Sequence, residues 1–357
     1  MGIGDLISSS LTGAGMPELL VYLFFLGVGL VMIIKGGDWF VDAASWFAEI
    51  SGIPKLIVGA TVVSLATTLP ELLVSLFAAA DGHRMLLSGA SAAEASSMVD
   101  MAIGNAVGSV TANLGLILGI SMVCMPAIIK RKDYAVKMAL MSGAAVVIVV
   151  FGLLSYNGVI GFGILPSILL LILFALAVFE NVRSARAEMQ NGNETGAIRP
   201  KPGKKEIGTN IVKFLLGTVG IVFGADLLVD NASLLAGFMG VSDRVISVTI
   251  VAIGTSLPEF VTAITAIIKK QGSLSAGNII GANIIDLTLI LPLCALVYGG
   301  NLPVTETVAR VDLPASLILC AAAVAPSLIT KKFSRWQGVF MLCLYAGYLV
   351  LTTVIVA

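Results

Sequence analysis

Ten stretches of mostly apolar residues follow one another along the chain, near 18–47, 54–80, 98–125, 133–154, 159–179, 209–236, 243–268, 273–299, 311–330 and 335–356. Each is about as long as the roughly 20 apolar residues that carry an α-helix across a bilayer. In hydrocarbon the backbone must satisfy its own polar groups, which restricts such a chain to helices or a closed barrel. An all-α membrane protein with ten spans is expected. Composition agrees. Apolar residues make up 58% and charged residues 12% of the chain, and charged residues are about 25% of an ordinary soluble domain. Mean hydropathy is +1.03. A soluble enzyme, a secreted disulfide scaffold, a nucleic-acid binder and a disordered protein are excluded. The 21 basic and 21 acidic residues balance. Cys124, Cys294, Cys320 and Cys343 stand singly and read as small core residues. Residues 1–16 hold no Lys or Arg, so no cleavable signal peptide is expected.

Lys and Arg fix the expected orientation, because loops rich in them stay in the cytoplasm. With the N-terminus outside, the inner loops and flanks hold Lys55, Lys130, Arg131, Lys132, Lys137, Arg183, Arg186, Arg199, Lys201, Lys204, Lys205, Lys213, Lys269, Lys270, Lys331, Lys332 and Arg335. Outer loops hold only Arg84, Arg244 and Arg310. Both termini are therefore expected outside, in what is expected to be a prokaryotic inner membrane. The polar stretch 180–208 reads as a cytoplasmic linker between residues 1–179 and 209–357.

The chain repeats itself. Asp38-Trp39-Phe40-Val41-Asp42-Ala43-Ala44-Ser45 matches Asp226-Leu227-Leu228-Val229-Asp230-Asn231-Ala232-Ser233, and Thr67-Thr68-Leu69-Pro70-Glu71 matches Thr255-Ser256-Leu257-Pro258-Glu259, both at an offset of 188. Gly104-Asn105-Ala106-Val107-Gly108-Ser109 matches Gly277-Asn278-Ile279-Ile280-Gly281-Ala282 at an offset of 173. Each unit holds five spans, an odd number, so the second enters the membrane from the opposite side. Two inverted five-helix repeats with a site between them at the midplane form a recurrent secondary-transporter architecture.

Three acids lie deep in spans: Glu71, Glu259 and Asp286. A carboxylate at the bilayer centre costs about 2.5–3.5 kcal/mol on insertion scales. Pro70 and Pro258 precede the two glutamates; proline interrupts the backbone ladder and frees carbonyl oxygens. Ser64, Thr68 and Glu71 share one helix face, as do Thr67 and Glu71, and Thr255, Ser256 and Glu259 repeat the arrangement. Asn105, Ser109 and Asn113 line the third span as Asn278, Ala282 and Asp286 line the eighth. An all-oxygen set suits hard cations, and the lone histidine, His83, reads as a solvated loop residue. No lysine or arginine lies deep enough in the sequence pattern to neutralise the acids, so cations or protons must. Asp38, Asp42, Asp226 and Asp230 read as interfacial or helix-packing residues.

These paired motifs resemble the two alpha repeats of the cation/calcium antiporter superfamily, and within it the prokaryotic sodium/calcium exchangers. The resemblance covers essentially the whole chain. It implies ten helices in two inverted repeats, alternating access with the first and sixth helices sliding against the other eight, and a calcium site flanked by sodium sites. By position, Glu71 and Glu259 would bridge calcium, with Thr67 and Thr255 adding oxygens. Thr68, Ser256, Ser109 and the backbone carbonyls of Ser64 and Ala252 would serve sodium, and Asn113 and Asp286 would complete the cluster. Two departures stand out: Ala282 replaces a hydroxyl that the family often carries, and Ala66-Thr67-Thr68 stands for Gly-Thr-Ser. The expected activity is exchange of sodium for calcium by a non-enzymatic antiporter without a cofactor, with calcium, sodium and the bilayer as partners and a monomer as the unit. The alternative is a proton-coupled antiporter of calcium or another divalent cation. No metalloprotease, intramembrane aspartate, Ser-Lys or nucleotide motif supports an enzyme.

Overall fold

The computed structural model describes residues 3–13, 16–89, 91–126, 131–194, 202–240, 254 and 256–354. Its architecture is all helical. Helix α1 spans Ile3–Gly13, α2 Glu18–Ser51 and α3 Lys55–Leu87, the last interrupted by a π-helical turn at Gly59–Val63. Helix α4 (Ala92–Ala112) runs through a π turn, Asn113–Leu118, into a last α turn, Gly119–Cys124. Then come α5 (Arg131–Tyr156), α6 (Ile164–Glu194), α7 (Lys204–Phe238) and α8 (Leu257–Ile268). Helix α9 (Gly272–Ile285) continues through a π turn, Asp286–Ile290, to Leu291–Tyr298. A π turn at Val308–Asp312 opens α10 (Leu313–Thr330), and α11 spans Arg335–Val354.

Among the described residues, eight helices are long and apolar enough to cross a membrane. They coincide with eight of the ten apolar stretches. Of the seventh stretch, only the 12 residues of α8 and its immediate approach are described. The tenth is the 20-residue α11. The short α1 was not anticipated; it packs on α7, where the Ser8 hydroxyl donates to Asn231 Oδ1 at 2.6 Å. The stretch 180–208 is helical through Glu194 and again from Lys204.

Burial separates the helices by role. In α9 and its continuation 83% of the apolar window is buried, against 28% for α2 and for α7. Helix α9 is therefore the central post, and α2 with α7 stands at the edge. Those two pack on each other along their lengths. Small residues permit it: a Cβ on Gly36 would stand 2.8 Å from the Ile221 amide nitrogen, and one on Gly217 2.7 Å from that of Phe40. Phe40 stacks on Phe214 with ring centroids 4.7 Å apart, and Trp46 donates to Glu206 Oε1 at 2.8 Å. Outward faces carry exposed Leu, Val, Ile and Phe, including Leu20, Phe24, Val31 and Leu215. Polar residues gather inside.

Two readings are corrected here. His83 is not in a loop: it lies near the C-terminal end of α3, part-buried, with Nδ1 2.7 Å from the Tyr298 carbonyl. That carbonyl ends the helix continuing α9, and a ring nitrogen satisfies it. Lys137 is not at the surface: it lies within α5 and is 4% exposed, because α6 supplies a partner described below.

Candidate functional site

The π turns and prolines set the local geometry. Pro70 lies inside α3, where it has no N–H for the carbonyl of Ala66. Glu71 follows it, 1% exposed. Pro258 stands in the first turn of α8, where the missing N–H costs little. Glu259 follows there, fully buried, at the helix end whose free amides favour negative charge. Asn113 and Asp286 are the first residues of two π turns. They are separated by the same offset of 173 that relates the flanking motifs.

These elements bring Glu71, Glu259, Asp286, Asn113, Ser109, Thr68 and Ser256 into one buried network. Ser109 donates to Glu71 Oε1 at 2.7 Å, and Ser256 donates to the same oxygen at 3.2 Å. Thr68 donates to Glu259 Oε1 at 3.2 Å. The last two bonds are reciprocal, since Thr68 and Ser256 are matched by the offset of 188, as are Glu71 and Glu259. Asn113 Nδ2 lies 3.2 Å from Ser109 Oγ and 3.4 Å from Asp286 Oδ2. The symmetry fails at one point. Ser109 has Ala282 as its counterpart, so Glu259 receives no equivalent hydroxyl from α9.

Thr67 joins the network, its side chain facing Glu259 as that of Thr68 does. Its hydroxyl donates to the Ser64 carbonyl at 3.3 Å and to Asn278 Oδ1 at 3.3 Å. The Ser64 carbonyl is thereby already engaged. Thr255 and Ala252 lie outside the described residues. A supporting ring was only partly legible. Asn105 Nδ2 donates to the Glu71 carbonyl at 3.1 Å and to Ser75 Oγ at 2.9 Å. Asn278 Nδ2 donates to Thr262 Oγ1 at 2.9 Å, and that hydroxyl donates to the carbonyls of Pro258 and Glu259. Ser75 and Thr262 sit one turn beyond the two glutamates, a spacing that would have found them.

What remains open in the network is all acceptor. Glu71 Oε2, Glu259 Oε2, Asp286 Oδ1 and Asn113 Oδ1 are buried and have no hydrogen-bond partner among the described residues. Such oxygens are costly unless something donates to or coordinates with them. The carboxyl groups of Glu71, Glu259 and Asp286 lie close enough to repel one another when ionised. Among the described residues no His, Cys, Asp and Glu side chains form a group of three able to hold a metal ion by themselves. Any cation held here therefore draws on hydroxyl, amide and backbone oxygens as well.

A helical membrane protein with a buried, symmetric cluster of unpaired oxygens is by class a cation transporter. The chain belongs to the sodium/calcium exchanger protein family, whose model matches residues 21–182 and 209–354. It is 32% identical over 331 residues to an uncharacterised membrane protein of Methanocaldococcus jannaschii, covering 90% of this chain and 94% of that one. It is 29% identical over 366 residues to the sodium/calcium exchanger MaX1 of Methanosarcina acetivorans, covering 93% and 98%. Its fold matches the sodium-calcium exchanger NCX_Mj, soaked with Na+ and Sr2+, at a TM-score of 0.72 and 28% identity, covering 92% of this chain and 97% of that one. Cation/calcium antiport is the activity this membership carries. Of the relatives named, MaX1 and NCX_Mj are sodium/calcium exchangers.

Proposed function

We propose that this chain exchanges sodium for calcium across a prokaryotic inner membrane by alternating access. In this reading it crosses the membrane ten times in two inverted five-helix repeats, residues 1–179 and 209–357, with both termini outside. The observation that carries the reading is the quartet of buried acceptor oxygens on Glu71, Glu259, Asp286 and Asn113, none of which has a hydrogen-bond partner among the described residues. Calcium takes six to eight oxygens at about 2.3–2.6 Å. Glu71 and Glu259 bridge it, and Thr67 and Thr255 add to its shell. Sodium uses Thr68, Ser256, Ser109 and the carbonyls of Ser64 and Ala252, with Asn113 and Asp286 between.

Mutual exclusion makes the cluster an exchanger. The two glutamates cannot serve calcium and a full sodium set together. Either occupancy offsets the mutual repulsion of the acids and lets the site close and cross. The empty cluster stays charged and is held facing water by its solvation cost. Sliding of α2 and α7 past the other helices alternates access. Two contacts tie α2 to the body on the cytoplasmic side and must break as it slides. Lys269, just past α8, lies 2.7 Å from Asp42 Oδ1 and 3.3 Å from Asp38 Oδ1. Lys55 bridges Glu49 at 2.9 Å and Gln271 Oε1 at 2.8 Å. Asp38 and Asp42 thus act in helix packing, with a gating consequence.

A second reading, proton-coupled exchange of calcium or another divalent cation, draws on one observation. Ala282 is fully buried and offers no hydroxyl where Ser109 does in the other half, which removes one sodium ligand. Equilibrium calcium binding to the purified protein under increasing sodium separates the two. The proposal expects sodium to displace calcium competitively at constant pH, with binding lost in Glu71→Gln. Calcium binding indifferent to sodium but displaced by acid would overturn it.

A further inference from the structure

Lys137 lies within α5 and is buried. An intramembrane ammonium persists only with partners. One is Asn181 on α6, whose side-chain Oδ1 accepts from Lys137 Nζ. Asn181 is itself buried, and its Nδ2 donates to the Ala60 carbonyl at 3.3 Å. Lysine only donates and a carbonyl only accepts, so this amide orientation alone satisfies both neighbours.

Ala60 stands in the π turn of α3. In an α register its carbonyl would accept the Ser64 N–H. Here that N–H goes to the carbonyls of Gly59 and Thr61. The turn also rests directly on α9, where a Cβ on Gly281 would stand 2.6 Å from Ala60 Cα and 2.6 Å from Ser64 Oγ. The turn is thus held by both Asn181 and α9. Ser64, Thr67, Thr68 and Glu71 follow over about the next three turns. A π turn offsets a helix by one residue, about 100° of rotation, from the α register. Its persistence therefore decides where those four residues point.

We infer that Lys137 and Asn181 are positioning residues for the cation cluster: they hold the π turn that aims Ser64, Thr67, Thr68 and Glu71. Neither touches the ions. The inference rests on the reading of the cluster as the cation site. Losing the Asn181 bond favours collapse of the turn toward the α register and swings the oxygens out of line.

The test measures the half-saturating calcium concentration for calcium-45 uptake into proteoliposomes. The wild type is compared with Lys137→Met, Asn181→Leu, their double variant, Lys137→Arg and the exposed control Arg183→Ala. Loss of one buried hydrogen bond, about 1 kcal/mol, corresponds to a rise of about fivefold. That rise is expected in both single variants. The double variant should be no worse than the worse single, since the two act in one relay. Lys137→Arg, which keeps charge and donors, should recover much of the loss, and Arg183→Ala should match the wild type. Unchanged half-saturation, a fall in maximal rate alone, or additive losses would each overturn the relay. Asn181→Ser carries the same expectation where a larger substitution does not purify. Calcium half-saturation is read with either coupling ion, so a wild type driven by protons would refute sodium coupling and leave this test standing.

Discussion

Ser109 and Ala282 occupy matched places on α4 and α9, and only one carries a hydroxyl. Removing it from the first and adding it to the second should move sodium affinity in opposite directions. Ser109 Oγ is 2.7 Å from Glu71 Oε1 and buried. A hydrogen bond to an ionised group is worth about 1.5–3 kcal/mol. Turned toward a bound cation, the same hydroxyl oxygen makes a contact of that order. Ser109→Ala is therefore expected to weaken sodium by about tenfold or more. Ala282→Ser adds one oxygen at a fully buried position. Glu259 Oε2, one of the acceptors left over in that half, has no partner among the described residues. Set against some crowding, the gain is about 0.5–1 kcal/mol, or a two- to fivefold tightening. The assay is sodium-dependent calcium-45 efflux from loaded vesicles, read as the half-saturating sodium concentration. Unchanged half-saturation in both variants would refute the assignment of hydroxyls to sodium. A shift in the same direction in both would refute the symmetry argument.

Glu71→Gln and Glu259→Gln should each abolish exchange while leaving insertion and elution intact. Each removes a unit charge worth about 4 kcal/mol at 4 Å in a medium of effective dielectric 20, and flux beside gel filtration checks it. Breaking the Lys269 contacts with Asp38 and Asp42 by Lys269→Ala should raise cytoplasmic accessibility of the site, read by labelling of single cysteines introduced along α2. Unaltered labelling would remove the gating role. Gly36→Val should separate α2 from α7 and lower the thermal midpoint, since overpacking costs about 1–3 kcal/mol; differential scanning of the detergent-solubilised protein measures it.

Much of this was legible because hydrocarbon leaves few options. Apolar runs had to be helices, and an ionisable residue inside one had to serve something. The offsets of 188 and 173 pair Thr68 with Ser256 and Asn113 with Asp286 from the sequence alone. They also pointed to Ala282 as the odd position. What was not legible depends on contacts between distant helices. Lys137 reads as a surface lysine because it sits near a basic cluster, and only α6 packing reveals its burial. His83 looks solvated until the end of the helix continuing α9 supplies a carbonyl. The π turns at Gly59, Asn113 and Asp286 leave no composition signal, yet they aim the site.

Sodium-driven calcium uptake tests the central claim most directly. Vesicles containing the purified protein are loaded with sodium, diluted into sodium-free buffer with calcium-45, and compared with vesicles carrying a pH gradient alone. The account predicts rapid uptake with the sodium gradient, none with the pH gradient, and none in Glu71→Gln under either. Uptake driven by the pH gradient alone would contradict sodium coupling, and uptake without any counter-ion gradient that Glu71→Gln leaves intact would contradict the site itself.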